Sequence, residues 1–299
     1  MPLAIRPLSP SFGAEISGVD LARLDEAEKA QIRAAMDEWG VCVCRRTGLS
    51  DEGHVAFSRI FGELMTAPGL ARSRTRMSLP ELFDAGNLTA DGEINQDEMI
   101  RLHKRGDRQW HTDTSFMQAR SSHSLLMAHE IPADGSGDTE FADLRAAYDA
   151  LPHAMQRRLE GLIAEHSIWY SRMTAGYPFS EEDIAARGPP ARHPIVQTHA
   201  GSGRRTLYIA SHAMGVVGMP KDEGRALLKE LIDFATQPQF VIRRSWGVGD
   251  LVCWDNRCTM HRATEFDDVN LRRDMRRTTI KEAASGALPR PCPGPASPL

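Results

Sequence analysis

A chain of 299 residues that is 41% hydrophobic and 25% charged has ordinary globular composition, long enough to bury a core without disulfide or metal staples. Its 36 basic and 40 acidic side chains leave a formal charge of -4, which excludes a general affinity for the nucleic-acid backbone or for anionic membranes. No apolar run suits a signal peptide or the roughly 20-residue span of a bilayer, and Cys42, Cys44, Cys253, Cys258 and Cys292 show no zinc-like pairing, so a cytoplasmic protein with reduced thiols is expected.

In chain order, residues 25–39 place apolar side chains at helical spacing behind an acidic first turn, and Gly40 follows as a stop. Val41-Cys42-Val43-Cys44 is short and β-prone, and Ser50-Asp51-Glu52 opens a second helical pattern through Val55, Phe57, Ile60 and Phe61. Arg72, Arg74, Arg76, Pro80 and Gly86 break any period over 66–110, which predicts a long, partly mobile connection. The run 122–129 predicts a buried strand, 138–142 an ordered segment after the Gly135-Ser136-Gly137 turn, and 143 to about 162 helix.

Gly and Pro mark 171–195 as a surface excursion, 206–210 is strand-like, and 221–235 is an amphipathic helix. Strands are predicted at 240–246, 251–255 and 275–280, with Gly247 and Gly249-Asp250 turning the first two into a hairpin. Residues 285–299 are dense in proline and glycine and predict a disordered tail. Many short strands with helices early and in insertions predict an α+β protein built around a β-sandwich. Gly201-Ser202-Gly203 lacks the third glycine and following helix of a dinucleotide site.

His111-Thr112-Asp113 spaces a histidine and an aspartate two apart, so in extended backbone both side chains leave one face and can chelate one metal. The third candidate ligand is His261, beyond the strand 251–255 and the turn Asn256-Arg257. Two imidazoles and one carboxylate on one face of an octahedral ion leave three positions open, as iron chemistry with a bidentate cosubstrate and O₂ requires. Arg273 and Arg277 then stand four apart on one face of a β-prone stretch, and two guanidiniums aimed at one pocket call for carboxylates. Arg272 and Arg276, on the opposite face, are the alternative pair.

The segments W-H-T-D-T-S-F at 110–116, G-D-T-E-F at 137–141, W-D-N-R-C-T-M-H-R at 254–262 and R-R-D-M-R-R-T-T-I at 272–280 resemble the taurine dioxygenase and phenoxyacetate dioxygenase family. G-A-E-I-S-G-V-D-L at 13–21, D-L-R-A-A-Y-D-A-L-P at 143–152 and T-H-A-G-S-G-R at 198–204 extend the likeness over residues 3 to 284. The resemblance implies a double-stranded β-helix, or jelly roll, with flanking helices and a long lid-like insertion, as a single domain over 1–284. It implies Fe(II) on His111, Asp113 and His261, with 2-oxoglutarate and O₂ as cosubstrates. Thr139 and Arg273 would bind the far carboxylate of 2-oxoglutarate, and Arg277 would lie near its metal-side carboxylate and the substrate's anionic group. His199 and His212 match histidines of the phenoxyalkanoate subgroup, and Arg72 lies where the family has its lid. The implied substrate is an aryloxyalkanoic acid cleaved at its ether bond, with a taurine- or alkylsulfate-type substrate, or a non-catalytic cupin-like sensor, as alternatives. A homo-oligomer without nucleic-acid or membrane partners is expected.

Overall fold

The computed structural model describes residues 3–66 and 76–283, so Arg72, Arg74, Cys292 and the 285–299 tail lie outside it. The first helix, α1 (Glu26–Trp39), begins where the Asp25 carboxylate accepts from the Glu28 backbone N–H and the Glu28 side chain accepts from the Asp25 N–H. It ends at Gly40, whose φ of 69° is left-handed and whose missing Cβ would stand 2.9 Å from the Arg145 guanidinium. Among the described residues the other α-helices are α2 (Asp51–Ser58), α3 (Glu98–Lys104), α4 (Leu144–Ala150), α5 (His153–Leu159), α6 (Ile168–Thr174), α7 (Glu181–Ala185) and α8 (Lys221–Ala235). None is long and apolar enough to cross a membrane.

Strands β1 (Ala4–Pro7), β2 (Ala14–Ser17), β3 (Val41–Cys44), β4 (Phe83–Asp84), β5 (Ser121–Glu130) and β6 (Thr139–Asp143) fall in the first half. They are followed by β7 (Ile163–His166), β8 (Ala191–Pro194), β9 (Val196–Thr198), β10 (Arg205–Leu207) and β11 (Ala213–Val216). The last four are β12 (Val241–Arg244), β13 (Leu251–Asp255), β14 (Thr259–Ala263) and β15 (Asp274–Lys281). A large sheet runs β1-β2-β3-β13-β5-β15-β4, and smaller sheets run β12-β6-β14, β11-β7-β8 and β10-β9. The pairs are antiparallel except β2 with β3.

Alternation along the strands builds the layers. Val41, Val43, Leu126, Val252, Trp254 and Met275 turn one face of the large sheet onto Phe141 of the β12-β6-β14 sheet. The opposite face, with Cys42, Leu125, Met127 and Cys253, packs on Ile32 and Met36 of α1 and on Val55 and Phe57 of α2. Outside the smaller sheet, Ala142 and Met260 meet Leu144 of α4 and Leu227, Leu228 and Leu231 of α8. Each of those leucines is worth about 1.5–3 kcal/mol when fully buried, so the apolar stripe of α8 sets its docking.

Several expectations change. β12 and β13 are not a hairpin: β12 pairs with β6, and β13 with β3 and β5, so the turn between them passes from one sheet to the other. The Asp250 carboxylate holds that corner by accepting from Gly247 N at 2.9 Å and Arg46 N at 3.1 Å. The helix predicted over 143–162 is two helices, parted at Pro152, whose ring cannot continue α4. The excursion at 171–195 holds α7 and β8, the connection at 66–110 holds β4 and α3, and the strand at 206–210 shortens to β10.

Candidate metal centre and its surroundings

His261 lies on β14, and a two-bond bridge joins that strand to the 110–113 segment: His111 N donates to His261 O at 2.9 Å and His261 N to His111 O at 2.7 Å. The bridge brings the two imidazoles to 4.2 Å between ring centroids. Thr112 points the other way, donating from Oγ1 to Asn256 O at 2.7 Å, so Asp113 returns to the face of His111 as the H-x-D spacing predicts. One donor atom from each of His111, Asp113 and His261 lies within 4.8 Å of the others, and all three residues are buried.

The donors are prepared for a cation. His111 Nδ1 lies 2.8 Å from Gln109 O, which places its proton there and leaves Nε2 as a lone-pair donor. Buried His261 has no hydrogen-bond partner at Nδ1 among the described residues, and its Nε2 stands 4.0 Å from Asp113 Oδ2. Burial, and then the neighbouring His111, push its pKa down to about 3 and keep it neutral. Asp113 Oδ1 accepts from the Arg277 guanidinium at 2.5 Å and Oδ2 from Ser124 Oγ at 2.7 Å. Burial pushes the Asp113 carboxyl up, but Arg277, His261, His111 and Ser124 together outweigh it and hold the group well below the usual carboxylate range. Two imidazoles and an ionised carboxylate fit a hard-to-borderline divalent ion that keeps open positions.

Along β15, Arg273 lies toward Gly137 and Arg277 toward Asp113. Arg273 is 7% exposed; its guanidinium touches only the carbonyls of Ala85 at 3.3 Å and Gly137 at 3.4 Å, with the Phe266 ring 5.7 Å away. No carboxylate lies within ion-pairing distance of it among the described residues, and burial pushes its pKa down to about 10. Thr139 begins β6 just beyond Gly137, buried, with Oγ1 accepting from Trp246 Nε1 at 3.1 Å. Arg277 pairs with Asp113, whereas Arg273 makes no ion pair among the described residues. Arg272 instead bonds Glu130 at 2.8 Å and Gly92 O at 2.6 Å, and Arg276 bonds Asp51 at 2.6 Å and Asp274 at 2.9 Å, so the alternative pair faces away.

The two subgroup histidines part company. His212 is buried with its ring 5.8 Å from His111 and 5.1 Å from Phe116, and its Nδ1 meets Ser115 Oγ at 2.9 Å. His199 is not at the triad: its Nε2 meets Asp255 Oδ2 at 2.9 Å and its Nδ1 meets Ser202 Oγ at 2.7 Å, on the helix-covered face of β13. Ser124 and Asn256, which grip Asp113, were not singled out from sequence; Asn256 stood there as a turn residue, and its only signal was its place between β13 and β14.

The taurine catabolism dioxygenase TauD, TfdA family matches residues 4–279. The chain is 43% identical over 287 residues to the alpha-ketoglutarate-dependent 2,4-dichlorophenoxyacetate dioxygenase of Cupriavidus pinatubonensis, covering 95% of this chain and 99% of that protein. It is 36% identical to the (S)-phenoxypropionate/alpha-ketoglutarate-dioxygenase of Sphingobium herbicidovorans, over 88% of this chain and 90% of that one. Its fold is similar to that of AAD-2, crystallised with Mn(II) and N-oxalylglycine, with a TM-score of 0.88, 38% identity, and coverage of 95% of this chain and 99% of that chain. Such matches across nearly the whole length place this chain in the TauD/TfdA family of dioxygenases, whose jelly-roll fold it shares.

Proposed function

We propose that His111, Asp113 and His261 hold the Fe(II) of this 2-oxoglutarate-dependent dioxygenase, and that its substrate is an aryloxyalkanoic acid cleaved at the ether bond. The observation that carries the reading is the pairing of a buried Arg273, with no carboxylate partner among the described residues, with three buried side chains, His111, Asp113 and His261, whose ligand atoms lie within 4.8 Å of one another. The first requires an organic anion and the second a cation, as a metal-chelating dicarboxylic acid on iron would supply.

Arg273 binds the far carboxylate of 2-oxoglutarate and Thr139 offers its hydroxyl to the same group; Trp246 Nε1 already donates to that hydroxyl oxygen, so its proton is free to point at the ligand. The described part of the 76–110 connection acts as the cover of this pocket. Asn87 Oδ1 accepts from Arg273 N at 2.8 Å, and Ala85 O holds the guanidinium. Arg72, the further substrate contact, lies outside the described residues.

Iron bound at the triad supplies the activation of O₂ that is coupled to oxidation of 2-oxoglutarate to succinate and CO₂. Arg277 keeps Asp113 ionised, and its remaining N–H groups offer an anionic substrate a hydrogen-bonding partner beside the triad. His212 and Phe116 form an aromatic flank next to His111, and burial keeps His212 neutral, which suits an aryl body rather than a second anion. Hydroxylation of the carbon beside the ether oxygen gives a hemiacetal, which collapses to a phenol and an oxo acid. The likeness to a 2,4-dichlorophenoxyacetate and a phenoxypropionate dioxygenase supports the same substrate class.

The test compares free acids with their methyl esters among aryloxyacetates and aryloxypropionates, under Fe(II), ascorbate and 2-oxoglutarate, scoring phenol and succinate together. The acids should turn over and the esters should not. Equal turnover of acid and ester, or turnover of taurine or alkyl sulfates alone, would remove the carboxylate while leaving the iron site intact.

A further inference from the structure

Asp113 is gripped at four atoms, and three of those grips lead to one side chain. Asn256, fully buried at the turn from β13 into β14, accepts at Oδ1 from Asp113 N at 3.2 Å, from Trp254 Nε1 at 3.0 Å and from Thr112 Oγ1 at 3.3 Å. A peptide N–H and an indole N–H can only donate, so the atom facing them is the amide oxygen and the orientation of the carboxamide is fixed. Its Nδ2 therefore faces Ser121 Oγ at 3.1 Å and Ser124 Oγ at 3.0 Å and donates to both.

Each serine passes its own proton on. Ser124, with Oγ accepting from Asn256, donates to Asp113 Oδ2 at 2.7 Å, and Ser121 donates to Asp113 O at 3.2 Å. Ser121 also braces Thr114, which sits at a φ of 57° immediately after Asp113, through Thr114 Oγ1 at 2.8 Å and its own N–H to that oxygen at 2.7 Å. The remaining carboxylate oxygen, Oδ1, belongs to Arg277. One amide thus connects the backbone N–H, the carbonyl and the Oδ2 of Asp113, using side chains from β5 and from the turn that leads to His261.

We infer that Asn256 is a positioning residue for the metal, acting through Ser124: its donated hydrogen bond forces the Ser124 proton onto Asp113 Oδ2 and so fixes which carboxylate lone pairs face the two histidines. This rests on the triad being the metal site. Asn256→Asp keeps the shape but removes the donors; both serine protons can then turn to the new carboxylate, and Oδ2 of Asp113 loses its anchor. Loss of such an outer support lowers metal affinity about 10-fold to 100-fold.

The experiment titrates Mn(II) into metal-free wild type, Asn256→Asp, Ser124→Ala, the double variant and His261→Ala, reading free Mn(II) by electron paramagnetic resonance, with folding checked by circular dichroism. Asn256→Asp and Ser124→Ala should each weaken Mn(II) at least about 10-fold at unchanged secondary structure, and the double variant should be no weaker than Asn256→Asp alone, because the two act in series. Folded Asn256→Asp binding Mn(II) as wild type does, or losses that multiply in the double variant, would overturn the inference. If Asn256→Asp fails to fold, Ser124→Ala decides by itself, a wild-type affinity overturning the relay. Retention of Mn(II) by His261→Ala would strike the triad instead, and so separates that failure from this one.

Discussion

Two buried clusters in this protein each join histidine and aspartate, with opposite outcomes. His111, Asp113 and His261 form one; His199, Asp255 and Cys258 form the other, and in each the possible ligand atoms lie within 4.8 Å of one another. In the second every donor is engaged. Arg257 Nε bonds Asp255 Oδ1 at 2.9 Å and its NH2 bonds Oδ2 at 2.5 Å, His199 takes Oδ2 from the other side, and His123 stands 3.4 Å away. Burial pushes the Cys258 thiol well up, so it offers no thiolate. Asp255 is a structural anion inside a protein cage, whereas at the first cluster His261 Nε2 stands 4.0 Å from Asp113 Oδ2, beyond hydrogen-bond distance, and a single guanidinium among the described residues meets the carboxylate. Composition and proximity do not make a metal site; uncommitted lone pairs do.

The strongest way to break this contrast is to remove one ligand from each cluster. His261→Ala or Asp113→Ala should abolish turnover and Mn(II) binding, while His199→Ala should keep one Mn(II) per chain; loss of binding in folded His199→Ala would merge the two sites. Asp255→Ala leaves Arg257 without its buried partner, and should cost about 3–5 kcal/mol of stability in urea unfolding. An unfolding midpoint equal to wild type would show that the cage does not hold β13 in place.

Along β15 the contrast sharpens. Arg273→Ala should raise the apparent 2-oxoglutarate KM about 30-fold or more, from the roughly 2–5 kcal/mol lost when a buried charge loses its partner. Arg272→Ala, which removes an exposed pair with Glu130 and a bond to Gly92 O, should leave that KM alone. The reverse result would move the pocket to the other strand face.

A further effect is on acid stability and belongs to histidines outside the triad. Burial pushes His54 and His123 down from 6.5 to about 4, and His166 to about 3. Below about pH 6.5 the unfolded chain therefore takes up protons that the folded chain refuses, so the stability these residues contribute is whole above that pH and falls as the pH drops toward 4. Tm should decline steadily between pH 7 and 4.5; a flat profile would mean that these rings find proton acceptors on folding.

Much of this was legible along the chain because it rests on short-range periodicity. α1 shows its capping box and its glycine stop, α8 shows Leu227, Leu228 and Leu231 on one stripe, and β13 matches its predicted span. The H-x-D pair is equally local, since a period of two places both side chains on one face. The hairpin predicted at 240–255 failed because alternation reports which face of a strand is apolar and not which sheet the strand joins. His199 shows the same limit: its likeness to a subgroup histidine carries no information about the Asp255 that it bonds.

The sequence by itself determined α1, α8 and β13, the placing of His111 and Asp113 on one face and that of Arg273 and Arg277 on one strand face, all consequences of backbone period. Only the tertiary structure decided that Arg277 is paired while Arg273 is not, that His212 joins the triad while His199 leaves it, and that Asn256 reaches Asp113 across a sequence separation of 143 residues. The physical reason is that a buried polar group is defined by the partners that satisfy it, and those partners come from strands that pairing brings together and that no local pattern records.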